Sequence, residues 1–153
     1  MHADFAQKSD VEFVINNLCK DTEDELKIAF GENYKSKLLE ELNKSPFGYK
    51  YAIILNSTSE IVGLFGIVPL NKYSAGIYLL TTENLHKGNI ITFIRQAKLY
   101  IKHWGKKYKL LMDTCYKRNK TIIKWLKILG FKPSEYQNND LQIWYKGEIK
   151  YYD

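Results

Sequence analysis

The stretch Thr81-Thr82-Glu83-Asn84-Leu85-His86-Lys87-Gly88 brings together several residue types that could do chemistry. It stands between a β-rich run and the longest helical run of the chain. Histidine is the side chain best suited to proton transfer near neutrality, which makes His86 a candidate for that role. The dipole of the helix that follows, together with His86 and Lys87, favours an anion just ahead of that helix. The same residues also fit an ordinary loop, with Gly88 before a helix and His86 incidental or capping. Further on, Asn119 precedes an apolar-periodic run and suits an N-cap. Cys19 and Cys115 have no CxxC spacing and no His cluster beside them. Two isolated thiols make neither a disulfide framework nor a zinc site, so no metal is expected, and a reducing compartment is the default.

Composition sets the frame for these residues. A chain of 153 residues with 45% apolar and 26% charged residues suits one domain with a real core. No apolar run approaches the roughly 20 residues that span a bilayer, and the start of the chain lacks a signal-like apolar segment. A cytoplasmic protein with no membrane partner is therefore expected. The net charge of +6 is unevenly spread: residues 1–47 hold ten acids against six lysines, and residues 87–132 hold thirteen Lys or Arg against the single acid Asp113. A segment of that kind fits either a solvated basic face or an anionic partner such as a phosphorylated cofactor, a nucleic acid or an acidic protein.

Periodicity places the elements. Three helices are expected first. One is capped by Asp10. One is capped by Asp21 or Thr22, with acids in its first turn, and stopped by Gly31. The third runs roughly from Tyr34 to Asn43, after which Pro46 and Gly48 close the helical part. YKYAIILN and IVGLFGIVPL, joined by the turn NSTSE, predict an antiparallel hairpin. Gly63 and Gly66 could let another backbone or a ligand approach closely. AGIYLLTT is a third strand. The longest helix, Asn89 to Trp104, buries Ile90, Ile94, Ala97, Ile101 and Trp104 and has Gly105 as its C′ residue. KYKLLMDT is a strand, NKTIIKWLKILGF is a helix with an Asn cap and a Gly stop, and LQIWYKG is the last clear strand. A strand–helix–strand–helix–strand tail after a hairpin predicts an α/β (α+β) fold with a mixed, mostly antiparallel sheet flanked by helices.

From Tyr49 to Gly147 the pattern resembles the GNAT (Gcn5-related N-acetyltransferase) family. The resemblance rests on the strand ending Asp113-Thr114, the helix opened by Asn119 and closed by Leu129-Gly130-Phe131, and the long helix before Gly105. FGIVPL, LLTTENLHKGNIITFIRQAKLYI and RNKTIIKWLKILGF further resemble the GNAT-like internal virion proteins of short-tailed phages. The resemblance implies one GNAT-like domain over residues 1–153, helical over 1–47 and sheet-centred over 49–147. It also implies an acetyl-CoA-dependent N-acyltransferase with an unknown amine acceptor. Leu80, Thr81 and Thr82 would hold the pantetheine, His86, Lys87 and Gly88 the pyrophosphate, and Asn119 the arm or the loop, with Glu83 or His86 as base.

Two of the family's features are altered. Its Arg/Gln-x-x-Gly-x-Gly/Ala loop falls on Leu85, Gly88 and Ile90, so one position of three matches. Its catalytic Tyr falls on Leu126 beside Trp125, which leaves Tyr116 and Tyr136 as substitutes. The other reading is therefore a non-catalytic, phage-type protein of this fold, cytoplasmic or virion-associated. It would contact a protein or nucleic acid through the basic segment 87–132.

Overall fold

The computed structural model describes residues 1–46 and 49–152. Along the chain these form β1 (His2–Phe5), α1 (Lys8–Ile15), α2 (Lys20–Phe30), α3 (Tyr34–Asn43), β2 (Lys50–Ile54), β3 (Ile61–Pro69), β4 (Ser74–Thr81), α4 (Ile90–Trp104), β5 (Leu110–Tyr116), α5 (Lys120–Ile128), β6 (Lys132–Gln137) and β7 (Leu141–Gly147). The strands make one mixed sheet in the order β1-β2-β3-β4-β5-β7-β6. Every neighbouring pair is antiparallel except β4 and β5. This is the expected mixed sheet, and the hairpin of β2 and β3 is the expected one.

Alternation along the strands divides the core into two layers. Ala52, Leu64 and Leu80 pack with Val14, Leu26, Leu38 and Leu42 of α1–α3. Ile53, Phe65, Ile77 and Leu111 pack with Phe93, Trp104, Trp125 and Leu126 of α4 and α5. Phe93 joins the two helices of the second layer. Its ring meets Phe65 edge-on at 5.7 Å and lies 5.3 Å from the ring of Trp125. That contact turns the inward stripe of α4 toward Phe93, so Ile90 and Ile94 are half-buried at its margin while Ala97, Ile101 and Trp104 are fully buried.

The helix ends explain several departures from expectation. Asp10 is not the cap of α1: Gln7 is, and the Asp10 carboxylate accepts the Gln7 N–H at 2.8 Å from the third helical position. Cys19, rather than Asp21 or Thr22, caps α2, because Thr22 is buried against β4. Gly31 ends α2 with φ +84°, as expected. Gly105 is right-handed at φ −64°, and the chain leaves α4 through a right-handed turn instead of a left-handed C′ residue. Gly48 lies outside the described residues. α5 closes in a Schellman motif: Gly130 has φ +92°, its N–H donates to Lys127 O at 3.1 Å, and the Phe131 N–H donates to Leu126 O at 2.9 Å.

Two strands escape the sequence pattern. β1 lies at the sheet edge, in a part of the chain expected to be helical, and β6 is a polar edge strand beside β7. Gly63 and Gly66 do admit a close approach, and it comes from neighbouring chain. A Cβ at Gly66 would overlap the Tyr49 carbonyl oxygen and come within 2.8 Å of Tyr78 Cζ. Gly66→Ala is therefore expected to destabilise the protein by about 1–3 kcal/mol through overpacking, measured by chemical denaturation.

Candidate active site

The parallel junction of the sheet positions the site. β5 pairs with β4 only at Ser74–Leu110, Ala75–Leu111 and Gly76–Met112; beyond Gly76 the two strands part. The edge of β4 facing the gap is taken up again at its far end. There the Cys19 N–H donates to Thr81 O at 2.9 Å, and Leu18 forms an antiparallel bridge with Thr82. Cys19 Sγ lies 3.2 Å from both Thr22 Oγ1 and Thr81 Oγ1, tying the start of α2 to β4.

Two clefts meet at this gap. The larger, about 370 Å³, opens on the α2–α3 side of the sheet and reaches into the gap: Leu26, Phe30, Leu38, Met112 and Glu25 line it from that side, and Ile77 and Asp113, on the strand faces turned toward α4 and α5, line it at the gap. The smaller, about 240 Å³, is lined by Cys19, Thr22, Thr81, Thr82, Glu83, His86 and Asn119. Ile122 lines both. Between them the Asn119 side-chain amide donates to Glu25 Oε2 at 2.9 Å, while Asn119 Oδ1 accepts the Ile122 N–H at 3.4 Å. Asn119 thus caps α5 and holds Glu25 with one side chain.

Glu25 has the most informative electrostatics of the site. Burial raises its carboxyl from an ordinary 4.5 to about 7, against hydrogen bonds from Asn119 and the Tyr116 backbone that favour the charged form. Asp113, half-buried on β5, is pushed well above the carboxylate range, by desolvation first and then by the nearby charge of Glu25. Burial, then Glu25 and Asp113, also push the Cys115 thiol up, so it stays protonated and is no nucleophile.

The residues singled out in the sequence divide accordingly. Thr81, Thr82, Glu83, His86 and Asn119 come together around the smaller cleft, and Leu80 lies on the wall of the larger one. His86 is exposed and its Nδ1–H donates to Glu83 O at 2.6 Å, leaving Nε2 as the free ring nitrogen. Lys87 is exposed, and Gly88 is packed from within the chain: a Cβ there would overlap the Met1 side chain and come within 2.9 Å of Leu55 Cδ2. Trp125 and Leu126 are core residues. The Tyr136 ring packs at a tilt against Tyr152, centroids 4.3 Å apart, and does not line the smaller cleft, and Tyr116 ends β5. Sequence reasoning missed Glu25 and Asp113 as a pair. Glu25 shares the helical face of Thr22, Leu26 and Ala29, and Asp113 shares the strand parity of Leu111 and Cys115. An acid on an inward face was the available signal.

Solved structures with this architecture were found at low identity. A GNAT-family acetyltransferase from Bacillus anthracis superposes with TM-score 0.67 at 13% identity, covering 95% of this chain and 93% of that one. The ribosomal-protein-alanine N-acetyltransferase from Brucella melitensis gives 0.66 at 16%, covering 97% and 100%. The spermidine N-acetyltransferase from Vibrio cholerae, solved with CoA and spermine, gives 0.65 at 16%, covering 99% and 98%. The chain has the GNAT acetyltransferase fold. No protein-family model and no curated protein matches the sequence.

Only part of the site has room for a group such as coenzyme A. Beyond Gly76 the edges of β4 and β5 part, which leaves room for a pantetheine arm, while Asn119 is buried with both side-chain atoms bonded, to Glu25 and to the Ile122 N–H. The start of α4 does not fit the pyrophosphate as the family pattern has it. Met1 and Leu55 cover Gly88, and Asn89 Oδ1 already accepts the N–H groups of Ile91 and Thr92 at 3.1 and 3.4 Å.

Glu25 also makes stability depend on pH. Its folded value lies above its unfolded one, so between about pH 4.5 and 7 the unfolded chain binds fewer protons than the folded one, and stability falls as pH rises. The burial of the charged form costs roughly 3 kcal/mol once pH exceeds 7. Glu25→Gln is therefore expected to be more stable than the natural protein at pH 8, with the difference vanishing toward pH 4.5. Denaturation midpoints across that range check this.

Proposed function

We propose that the protein is an N-acyltransferase using a pantetheine thioester, acetyl-CoA in the simplest case, and an amine acceptor. The observation that carries this reading is Glu25, a carboxyl poised near neutrality where the two clefts meet at the β4–β5 gap. When bound, such a donor supplies an acyl carbonyl open to attack by an amine. Leu80, Thr81, Thr82 and Asn119 are the arm contacts in this reading, and Lys87 and His86 lie toward the nucleotide.

The acceptor nitrogen must lose a proton before it can attack, and Glu25 takes it. Moving a proton from an alkylammonium to an ordinary carboxylate costs about 8 kcal/mol; to a group near 7 it costs about 5 kcal/mol. Burial of Glu25 therefore makes it the better base, and Asn119 holds its oxygen in place. Glu83 and His86, both exposed on the smaller cleft, are the competing bases. Product formation from acetyl-CoA and a panel of amines tests the assignment. kcat/KM is expected to rise with pH through about 7, and Glu25→Gln to lose roughly 10²–10⁴-fold while Glu83→Gln and His86→Gln lose less. No donor binding at millimolar acetyl-CoA would overturn the enzymatic reading.

A second reading is favoured by the covered Gly88 and by the layout of charge. α4 and α5 pack on the same side of the sheet, and Arg95, Lys98, Lys102, Lys120, Lys124 and Lys127 are all exposed on them. A phage-type, non-catalytic protein would use this face on a nucleic acid or an acidic protein, in the cytoplasm or in a virion. For nucleic acid, neutralising Lys120, Lys124 and Lys127 is expected to make the log–log salt slope shallower by about one for each phosphate that these lysines neutralise. A slope that does not change removes these lysines from any such interface.

A further inference from the structure

The larger cleft carries information about what it binds. Its walls are apolar, with Leu26, Phe30, Leu38, Ile77 and Met112 among them, and its volume of about 370 Å³ lies within the range of small-ligand sites. At about 30 Å³ per water in the liquid, that space holds a molecule of roughly a dozen non-hydrogen atoms. Glu25 and Asp113 line the same cleft.

Neither carboxylate has a cationic partner. The ion pairs among the described residues are Lys20–Asp24, Lys27–Glu23, Lys44–Glu41 and Lys150–Glu148, all between exposed side chains. Asp113 accepts no hydrogen bond from a described residue, although a chain of net charge +6 has cations to spare. A desolvated carboxylate is costly unless a cation or donors offset it. Glu41, the other acid on the cleft, is already paired with Lys44 at 2.9 Å.

We infer that the acceptor is a primary amine on a compact apolar body, its single ammonium held by Asp113 and Glu25 and its body by the apolar wall between α2–α3 and the sheet. This rests on the acyltransferase reading for the word acceptor; binding of the amine does not. A linear polyamine fits poorly, because its second and third charges would meet apolar walls and an acid that Lys44 already holds. A neutral molecule of the same shape leaves both carboxylates uncompensated.

Isothermal titration of the intact protein without any acyl donor tests this with three probes: phenethylamine, the neutral alcohol 2-phenylethanol, and spermidine. Phenethylamine is expected to bind at least tenfold tighter than either of the others, and Asp113→Asn to weaken it at least tenfold while leaving the alcohol unchanged. Spermidine or the alcohol binding as tightly as phenethylamine, or no phenethylamine binding at millimolar concentration, overturns the inference, and none of these outcomes depends on a variant folding. Leu38→Trp, which fills the apolar wall, is expected to abolish phenethylamine binding; unchanged affinity would place the amine elsewhere. Amine binding without acyl transfer would defeat only the enzymatic reading. Transfer to spermidine in preference to phenethylamine would defeat only the acceptor class.

Discussion

Two parallel strands that pair over three residues and then part leave backbone groups unpaired in the middle of a sheet. This constraint at β4 and β5 governs the rest of the structure. Buried N–H and C=O groups must find partners, and the chain supplies some from an unusual source. The link between α1 and α2 bonds to Thr81 and Thr82, so the N-terminal helices are anchored at the far end of the gap. That anchor brings α2 across the sheet at a height where Glu25 reaches Asn119 at the start of α5. The gap is thus bounded by β4 and β5 at the sides, by Gly76 at its base and by Cys19 at its mouth. What remains between them are the two clefts.

Asn119 shows how local and long-range demands meet in one residue. As an N-cap it needs only its oxygen, which satisfies an otherwise unpaired amide of α5. Its nitrogen is left over, buried, and must donate to something. Glu25 accepts it. Ser or Thr would cap α5 as well, yet neither has a second group that could reach across to α2 while its oxygen caps the helix. The choice of Asn at this position therefore couples the helix end to the electrostatics of the cleft.

How much of this was legible follows from how local each feature is. α3 was readable from its apolar spacing, and α5 from its apolar spacing, Asn cap and Gly stop, all contained within the segment itself. β1 is four residues, HADF, and is a strand only because β2 pairs with it. β6 contains Pro133 and mostly polar, exposed side chains, with a register break against β7, so alternation had nothing to act on. Phe93 was missed on α4 because two isoleucines offered an equally good stripe until the rings of Phe65 and Trp125 decided the rotation. Glu25 was hidden by its neighbours. Acids at the start of a helix have a sufficient explanation in the helix dipole, and only the inward helical face separates Glu25 from Asp21, Glu23 and Asp24. In the other direction, Thr82, Glu83, His86 and Asn119 were singled out from sequence, and they do come together around one cleft. The covering of Gly88 by Met1 spans the whole length of the chain up to α4, a distance no local pattern reports.

The two half-buried acids also account for a feature of the charge distribution. Thirteen Lys and Arg lie in residues 87–132, several adjacent in sequence to β5 and to Asn119, yet none is bonded to Asp113 or Glu25. A Lys drawn inward would offset the desolvation of the pair, and by favouring the charged form it would return both carboxyls toward their ordinary values. The result would be a more stable protein with no group titrating near neutrality in the cleft. Keeping the cations on the outer faces of α4 and α5 preserves the opposite arrangement: a carboxyl near 7 beside an unpaired acid, at some cost in stability. Functional sites are where such costs are retained, and in this chain that cost falls where the sheet opens.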